Sequence, residues 1–183
     1  MKRFNQILKD QNYQNYITRL QAMEQDRVFC KHDMTHFLDV ARIAYIIAGR
    51  ENLPYNREII YTTAILHDIG RVDALPAESH GEVSARLALE ILPKYDYNEE
   101  EIELITEGIR THNNREYFET DGFKTDCFGK ECFETGYANS NSAVLNFQRL
   151  IYRADKLSRL CFMCPAQADC YWSDEDKNKE CHF

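Results

Sequence analysis

Missing from this chain is any apolar run approaching the roughly 20 residues a membrane-spanning helix needs, and Lys2 and Arg3 are followed by no apolar leader. The sequence therefore predicts no membrane partner and a cytoplasmic location. Glycine and proline are scarce, at seven and four residues, and alternating runs of β-branched residues are few. Both point away from sheet and toward an all-α fold. Basic charge is short as well: 22 Lys and Arg face 30 Asp and Glu, for a net charge of -8. A surface that neutralises many phosphates is excluded, and with it a polynucleotide partner. A small phosphorylated ligand stays compatible, because a few local cations or a metal can overcome a negative global field. Cysteine, by contrast, is plentiful at seven residues. Without an export signal these read as thiols or metal ligands rather than as a disulfide framework.

The 183 residues, 44% of them hydrophobic, suffice for a single domain with a substantial core. Phe4, Ile7 and Leu8, then Tyr16, Ile17, Leu20 and Met23, recur at helical spacing and predict one or two amphipathic helices over residues 3–24. A segment from Asp33 or Thr35 to Arg50 puts His36, Val40, Ile43 or Ala44, and Ile47 on one face, with His32 one turn earlier on roughly the same side. A third helix, about 56–69, aligns Ile60, Ala64 and His67, and Gly70 is read as the left-handed residue that stops it.

Ser79 and Glu82 have the spacing of a capping box for a helix running through Ala85, Ala88, Leu89 and Leu92 to Pro93. His80 sits in its first turn, and Gly81, Ser84, Ala85 and Ala88 give it a small-residue side. Asn98 and Glu101 repeat the box ahead of Ile102, Ile105, Ile109 and His112. Residues 113–140, with Cys127 and Cys132, lose the helical period and read as a long irregular insertion, either a lid or partner contact or simple disorder. A last helix, about 142–160, steps from Phe147 through Ile151 to Asp155, which puts an acid where the period assigns core.

Separate helices thus each bring an ionisable group to a buried stripe or a helix end: His36, His67 with Asp68, His112 and Asp155, with His80 on a fifth. Burying these without partners would cost several kcal/mol each, roughly. A divalent cation offsets that cost and accepts mixed imidazole and carboxylate donors.

The segments His36-x-x-Asp39-Val40-Ala41, His67-Asp68-Ile69-Gly70-Arg71 and Ala154-Asp155-Lys156 resemble, in order, the H…HD…D pattern of the HD-domain metal-dependent phosphohydrolase superfamily. The resemblance covers about residues 28–160, leaving 161–183 as a Cys-rich tail. It implies a compact all-α bundle of HD-domain type and a divalent metal held by His36, His67, Asp68 and Asp155, with Mn, Fe, Co, Ni, Mg and Zn not distinguished. It also implies hydrolysis of a phosphoester or phosphoanhydride bond in a small phosphorylated substrate, a nucleotide being the expected case.

His80 and His112 match positions where some members carry further histidines. They are expected to bind a second metal or touch phosphate, unless the site is mononuclear and they stand behind it. Asp68 is the candidate to steer the nucleophile as well as to ligate. Arg71 and Lys156 are candidates to balance charge on the phosphate, the bland alternative being surface ion pairs. Val72-Asp73 follows Arg71 in place of a Glu-Asp pair, which speaks against an alarmone hydrolase. The expectation is an enzyme. The reading from a different class is a non-catalytic metal- or nucleotide-binding sensor module with a redox-responsive thiol cluster.

Cys161-x-x-Cys164, with Cys170 beyond it and Cys30 just ahead of the His36 segment, has metal-ligand spacing. A structural zinc on four thiolates is the preferred expectation and an iron–sulfur cluster its rival. The bland alternative is a group of free thiols beside Trp172.

Overall fold

The computed structural model describes residues 1–115 and 140–183, with side chains from 143 onward in the second stretch. Most of the expected insertion, with Cys127 and Cys132, lies outside the described residues. Helices α1 (Lys2–Ile7) and α2 (Gln11–Met23) are followed by α3 (Met34–Arg50) and α4 (Arg57–Leu66). Then come α5 (His80–Ile91), α6 (Glu99–Thr111) and α7 (Ser140–Leu157), with no strand among the described residues.

Local chemistry sets where the helices begin. Asp10 accepts from the Asn12 and Tyr13 amides to start α2, and Asp33 accepts from Thr35 and His36 to start α3. Asn56 starts α4, and Asn98 with Glu101 completes a reciprocal capping box on α6. The box expected at Ser79 and Glu82 does not form. Ser79 makes no cap bond to the helix and instead accepts from the Asn113 amide at 3.4 Å, while Glu82 takes the guanidinium of Arg110 at 2.9 Å. A contact to α6 has displaced the local one. Met23, expected on the buried stripe, is 55% exposed.

Helix α3 packs between α4 and α7, α6 lies against α4, α5 and α7, and α2 meets the 3-10 turn Ile69–Val72. Phe37, Val40, Ala44 and Ile47 of α3, Ile60 and Ala64 of α4, Ile105 and Ile109 of α6, and Phe147 and Ile151 of α7 fill the interior. Each such large aliphatic or aromatic side chain contributes about 1.5–3 kcal/mol by leaving water. The stripes converge, so the polar groups at their ends converge with them.

Gly70 departs from expectation. Helix α4 ends at Leu66, and Gly70 sits inside the 3-10 turn without a left-handed backbone. What requires glycine is space: a Cβ would lie 2.3 Å from the Ser84 amide nitrogen and 2.8 Å from the His80 carbonyl oxygen. The Gly70 N–H donates to Ser84 Oγ at 2.8 Å. This contact locks the turn after His67 and Asp68 against the start of α5, which carries His80.

Candidate metal centre

Four imidazoles in the middle of the bundle have their outer nitrogen fixed as a donor. His67 Nδ1 lies 2.6 Å from the Ala64 carbonyl oxygen, and His112 Nδ1 lies 2.6 Å from that of Ile109. A carbonyl only accepts, so both Nδ1 atoms carry the proton. His32 Nδ1 donates to Glu24 Oε1 at 2.6 Å. His36 Nδ1 is 3.2 Å from Ser158 Oγ, whose single proton is already given to the Asp155 carbonyl at 2.7 Å, so here too Nδ1 donates. In the neutral rings every Nε2 therefore offers a lone pair, the arrangement that orients metal-binding imidazoles.

These Nε2 atoms face two buried carboxylates. Asp68 Oδ2 lies 3.2 Å from His67 Nε2, 3.7 Å from His32 Nε2 and 3.8 Å from His36 Nε2. Its Oδ1 lies 3.2 Å from His80 Nε2 and 3.4 Å from His112 Nε2. Asp155 Oδ1 lies 3.3 Å from His36 Nε2 and 3.8 Å from His67 Nε2. Two donor sets are compact enough to hold an ion: His36, His67 and Asp155, and His67, Asp68 and His112. His67 is common to both. His36 Nε2 and His67 Nε2 are buried without a hydrogen-bond partner, a costly state that a cation would relieve. The residues fit a divalent metal.

Electrostatics agree with the geometry. Burial opposes the charge on Asp68, yet His67, Arg71 and His112 outweigh it and hold the carboxyl well below the usual range. Burial likewise opposes Asp155, and Lys156, Arg159 and His36 overcome it. Burial pulls His112 down to about 4 despite its bond to Asp68, so its imidazole is neutral at pH 7. His32 is also lowered by burial, with Glu24 opposing. His67 goes the other way, since burial opposes its charge but Asp68 and Asp155 raise its pKa, and a cation bound there would take the place of the proton on Nε2.

The two candidate phosphate-binding cations differ in what they face. Arg71 donates from Nε to Asp68 Oδ1 at 2.8 Å, and its Nη2 lies 3.1 Å from His80 Nε2. It also lines an open cleft of about 450 Å³ with Met23, Glu24, Arg27, Glu78 and His80. Lys156 donates to Asp155 Oδ2 at 2.7 Å and lies near the Tyr152 and Trp172 rings, and burial lowers its pKa. Its charge is held by Asp155. Sequence reasoning did not find Arg159, which donates to Asp155 Oδ2 at 3.3 Å, or Glu24 behind His32. An i, i+4 spacing from Asp155 was the available signal for Arg159, and the i, i+4 spacing of His32 and His36 marked their shared face.

The four cysteines of the expected structural site are unpaired: Cys161 is buried, and Cys30, Cys164 and Cys170 are partly so.

Residues 34–160 match the HD domain family. An uncharacterized protein of Clostridium beijerinckii is 44% identical over 184 residues, covering 100% of both chains. No solved structure matches. No helix among the described residues is long and apolar enough to cross a membrane.

Proposed function

The chain belongs to the HD-domain family, and from that membership we propose that it is a metal-dependent phosphohydrolase cleaving a phosphoester or phosphoanhydride bond in a small metabolite, a nucleotide foremost. The observation that carries the reading is the convergence of four Nε2 lone pairs on two ionised carboxylates, buried behind Arg71 and His80, which line a cleft. His36, His67 and Asp155, together with Asp68 through Oδ2, would hold the first ion, with His32 beside that oxygen, and His112 and His80 on the Asp68 Oδ1 side are available to a second. A divalent cation there supplies Lewis acidity toward a phosphoryl oxygen and makes a hydrolytic nucleophile from water near neutral pH. The imidazole-rich donor set suits Mn, Fe, Co, Ni or Zn better than Mg, which prefers oxygen and retains its waters.

The chain's own groups do the rest. Arg71, anchored by Asp68 through Nε, keeps guanidinium donors at the cleft, where a phosphate can take them in a bidentate contact. His80, about one-fifth exposed, is the imidazole nearest that opening and stands ready to touch the same phosphate. Lys156 and Arg159 neutralise Asp155 from the protein side and keep it fixed. Asp68, ionised and bonded to Arg71, is the group to orient the attacking water. The cleft mixes Arg27 and Arg71 with Glu24, Asp26 and Glu78, so it offers a local phosphate pocket without a basic track for a polymer.

The test is turnover of a panel of nucleotides and phosphoesters with Mn, Co, Ni, Mg or ferrous iron. Phosphate release that depends on metal and stops with chelator is expected. Nucleotide affinity without turnover under every metal would instead make the chain a binding module.

A further inference from the structure

We infer that Cys30, Cys161, Cys164 and Cys170 form a second, all-thiolate site for a soft metal centre, zinc or an iron–sulfur cluster, which ties the C-terminal tail to the loop ahead of α3. The site shares no ligand with the imidazole centre and stands whether or not the hydrolase reading does.

Backbone turns gather three of the thiols. The Cys164 N–H donates to the Cys161 carbonyl at 3.2 Å, Gln167 donates to Cys164 from its amide at 3.2 Å and to Cys161 from Nε2 at 3.2 Å, and Cys170 donates to Gln167 at 3.4 Å. Residues 161–170 thus fold into two successive turns, with the tail pinned to the end of α7 by Asn178, whose Nδ2 donates to the Lys156 and Arg159 carbonyls at 2.9 and 2.8 Å.

The fourth thiol comes from the other side. Phe29 meets Tyr171 edge-on, ring centres 6.3 Å apart, which places their neighbours Cys30 and Cys170 on facing segments. Arg27 Nε holds the Cys30 carbonyl at 2.8 Å. Cys161 is buried and Cys30, Cys164 and Cys170 are partly so. Four thiolates on a divalent ion leave a net dianion. Arg159, held against the Trp172 ring at 4.2 Å and shared with Asp155 at 3.3 Å, offsets only part of that charge.

Among the described residues no three thiol sulfurs lie within 4.8 Å of one another. A single zinc would draw them inward to bonds of about 2.3 Å. An iron–sulfur cluster spreads its thiolates over separate irons and fits the wider arrangement with less movement. Thiolates suit both, and composition of the bound centre decides between them.

The experiment uses the full chain, purified without oxygen and assayed for zinc, iron and acid-labile sulfide per chain. The wild type is expected to hold about one zinc, or iron with matching sulfide and broad visible absorption, beyond the metal of the imidazole centre. Cys161→Ser/Cys164→Ser and Cys170→Ser lose that centre, and Cys181→Ser, an exposed thiol outside the set, keeps it. Asp68→Ala keeps it too. If a cysteine variant fails to fold, metal-dependent protection of the four thiols from alkylation in the wild type, mapped by mass spectrometry, gives the answer. A wild type that carries no such metal and acquires none from zinc, or from ferrous iron and sulfide, with all four thiols alkylating freely, overturns the site.

Discussion

Glu24 accepts twice from His32, from its backbone N–H at 2.7 Å and from its Nδ1–H at 2.6 Å, with both residues buried. The second bond fixes the tautomer and aims Nε2 at Asp68, 3.7 Å away. Carboxylate partners of metal-binding imidazoles raise their basicity and hold the ring, and losing one typically costs about 10- to 100-fold in metal affinity. Glu24→Ala is therefore expected to weaken metal binding about tenfold or more, while Glu24→Gln, whose amide oxygen still accepts, weakens it less. Competition with a chromophoric chelator measures both. Unchanged affinity in Glu24→Ala would remove His32 from the centre.

Asp68 and Asp155 are expected to fail differently when truncated. Asp68→Ala should lose metal and activity with helicity intact, because its cation Arg71 lines the cleft and can turn to water. Asp155→Ala leaves Lys156 and Arg159 packed around an emptied position. Breaking such a buried pair costs about 3–5 kcal/mol, so Asp155→Ala should be the less stable in urea by a clear margin. Equal unfolding midpoints for the two apo variants would contradict the assigned roles of the cations.

What the sequence made legible was whatever repeats with helical period. His36, His67, His112 and Asp155 terminate or occupy apolar stripes, and the structure brings them together because buried stripes must face one another. The all-helical class followed from the same periods. Pairings across elements carry no period: Glu24 reaches His32 from the end of α2, and Ser158 reaches His36 over 122 positions. Ser79 and Glu82 show the converse, since a correct local spacing lost to partners on and just beyond α6. Gly70 stands where the sequence pattern asks for a left-handed residue, and the fold needs it for its size.

Gly70→Ala tests that last point. The added methyl would meet backbone at both Ser84 and His80, neither of which can swing aside as a flexible side chain can. Overpacking of this kind costs about 1–3 kcal/mol, occasionally more. Because the turn joins Asp68 to the start of α5, the variant should also bind metal more weakly. Thermal melting of the apo protein and a metal titration read the two effects. A melting point within a degree of wild type would show that α5 can move away.

Arg71 and Lys156 should separate in kinetics. Arg71 borders the cleft, so Arg71→Ala is expected to raise KM for a phosphorylated substrate tenfold or more, with Arg71→Lys a poor rescue because one ammonium cannot make a bidentate contact. Lys156→Met removes a partner of Asp155 and should act on metal affinity and stability before KM. A KM effect larger for Lys156→Met than for Arg71→Ala reverses the assignment.

A final prediction concerns acid and the anchoring of α1. Arg3 donates from Nε to Glu58 Oε2 at 2.9 Å and from Nη1 and Nη2 to Glu101 at 2.6 and 2.9 Å, tying α1 to α4 and α6. The Met1 amine adds a contact to Glu58 at 3.4 Å, and the guanidinium lies over the Tyr97 ring at 4.0 Å. Burial opposes the Glu58 charge but the Arg3 bonds prevail, and for Glu101 the Arg3 bond is the leading cause; both folded values lie below the ordinary 4.5. A depressed carboxyl contributes stability that is present above its unfolded pKa and lost as pH falls through the folded one. The network's contribution is therefore complete at neutral pH and disappears progressively below about 4.5. These side chains keep contact with solvent, so screening limits the contribution to about 1 kcal/mol, and less in high salt. Against a wild-type melting profile, Arg3→Met should lie lower at pH 7 and converge with it as the pH drops below 4. A constant gap across that range would mean that the arginine acts through its contact with Tyr97 and not through its carboxylates.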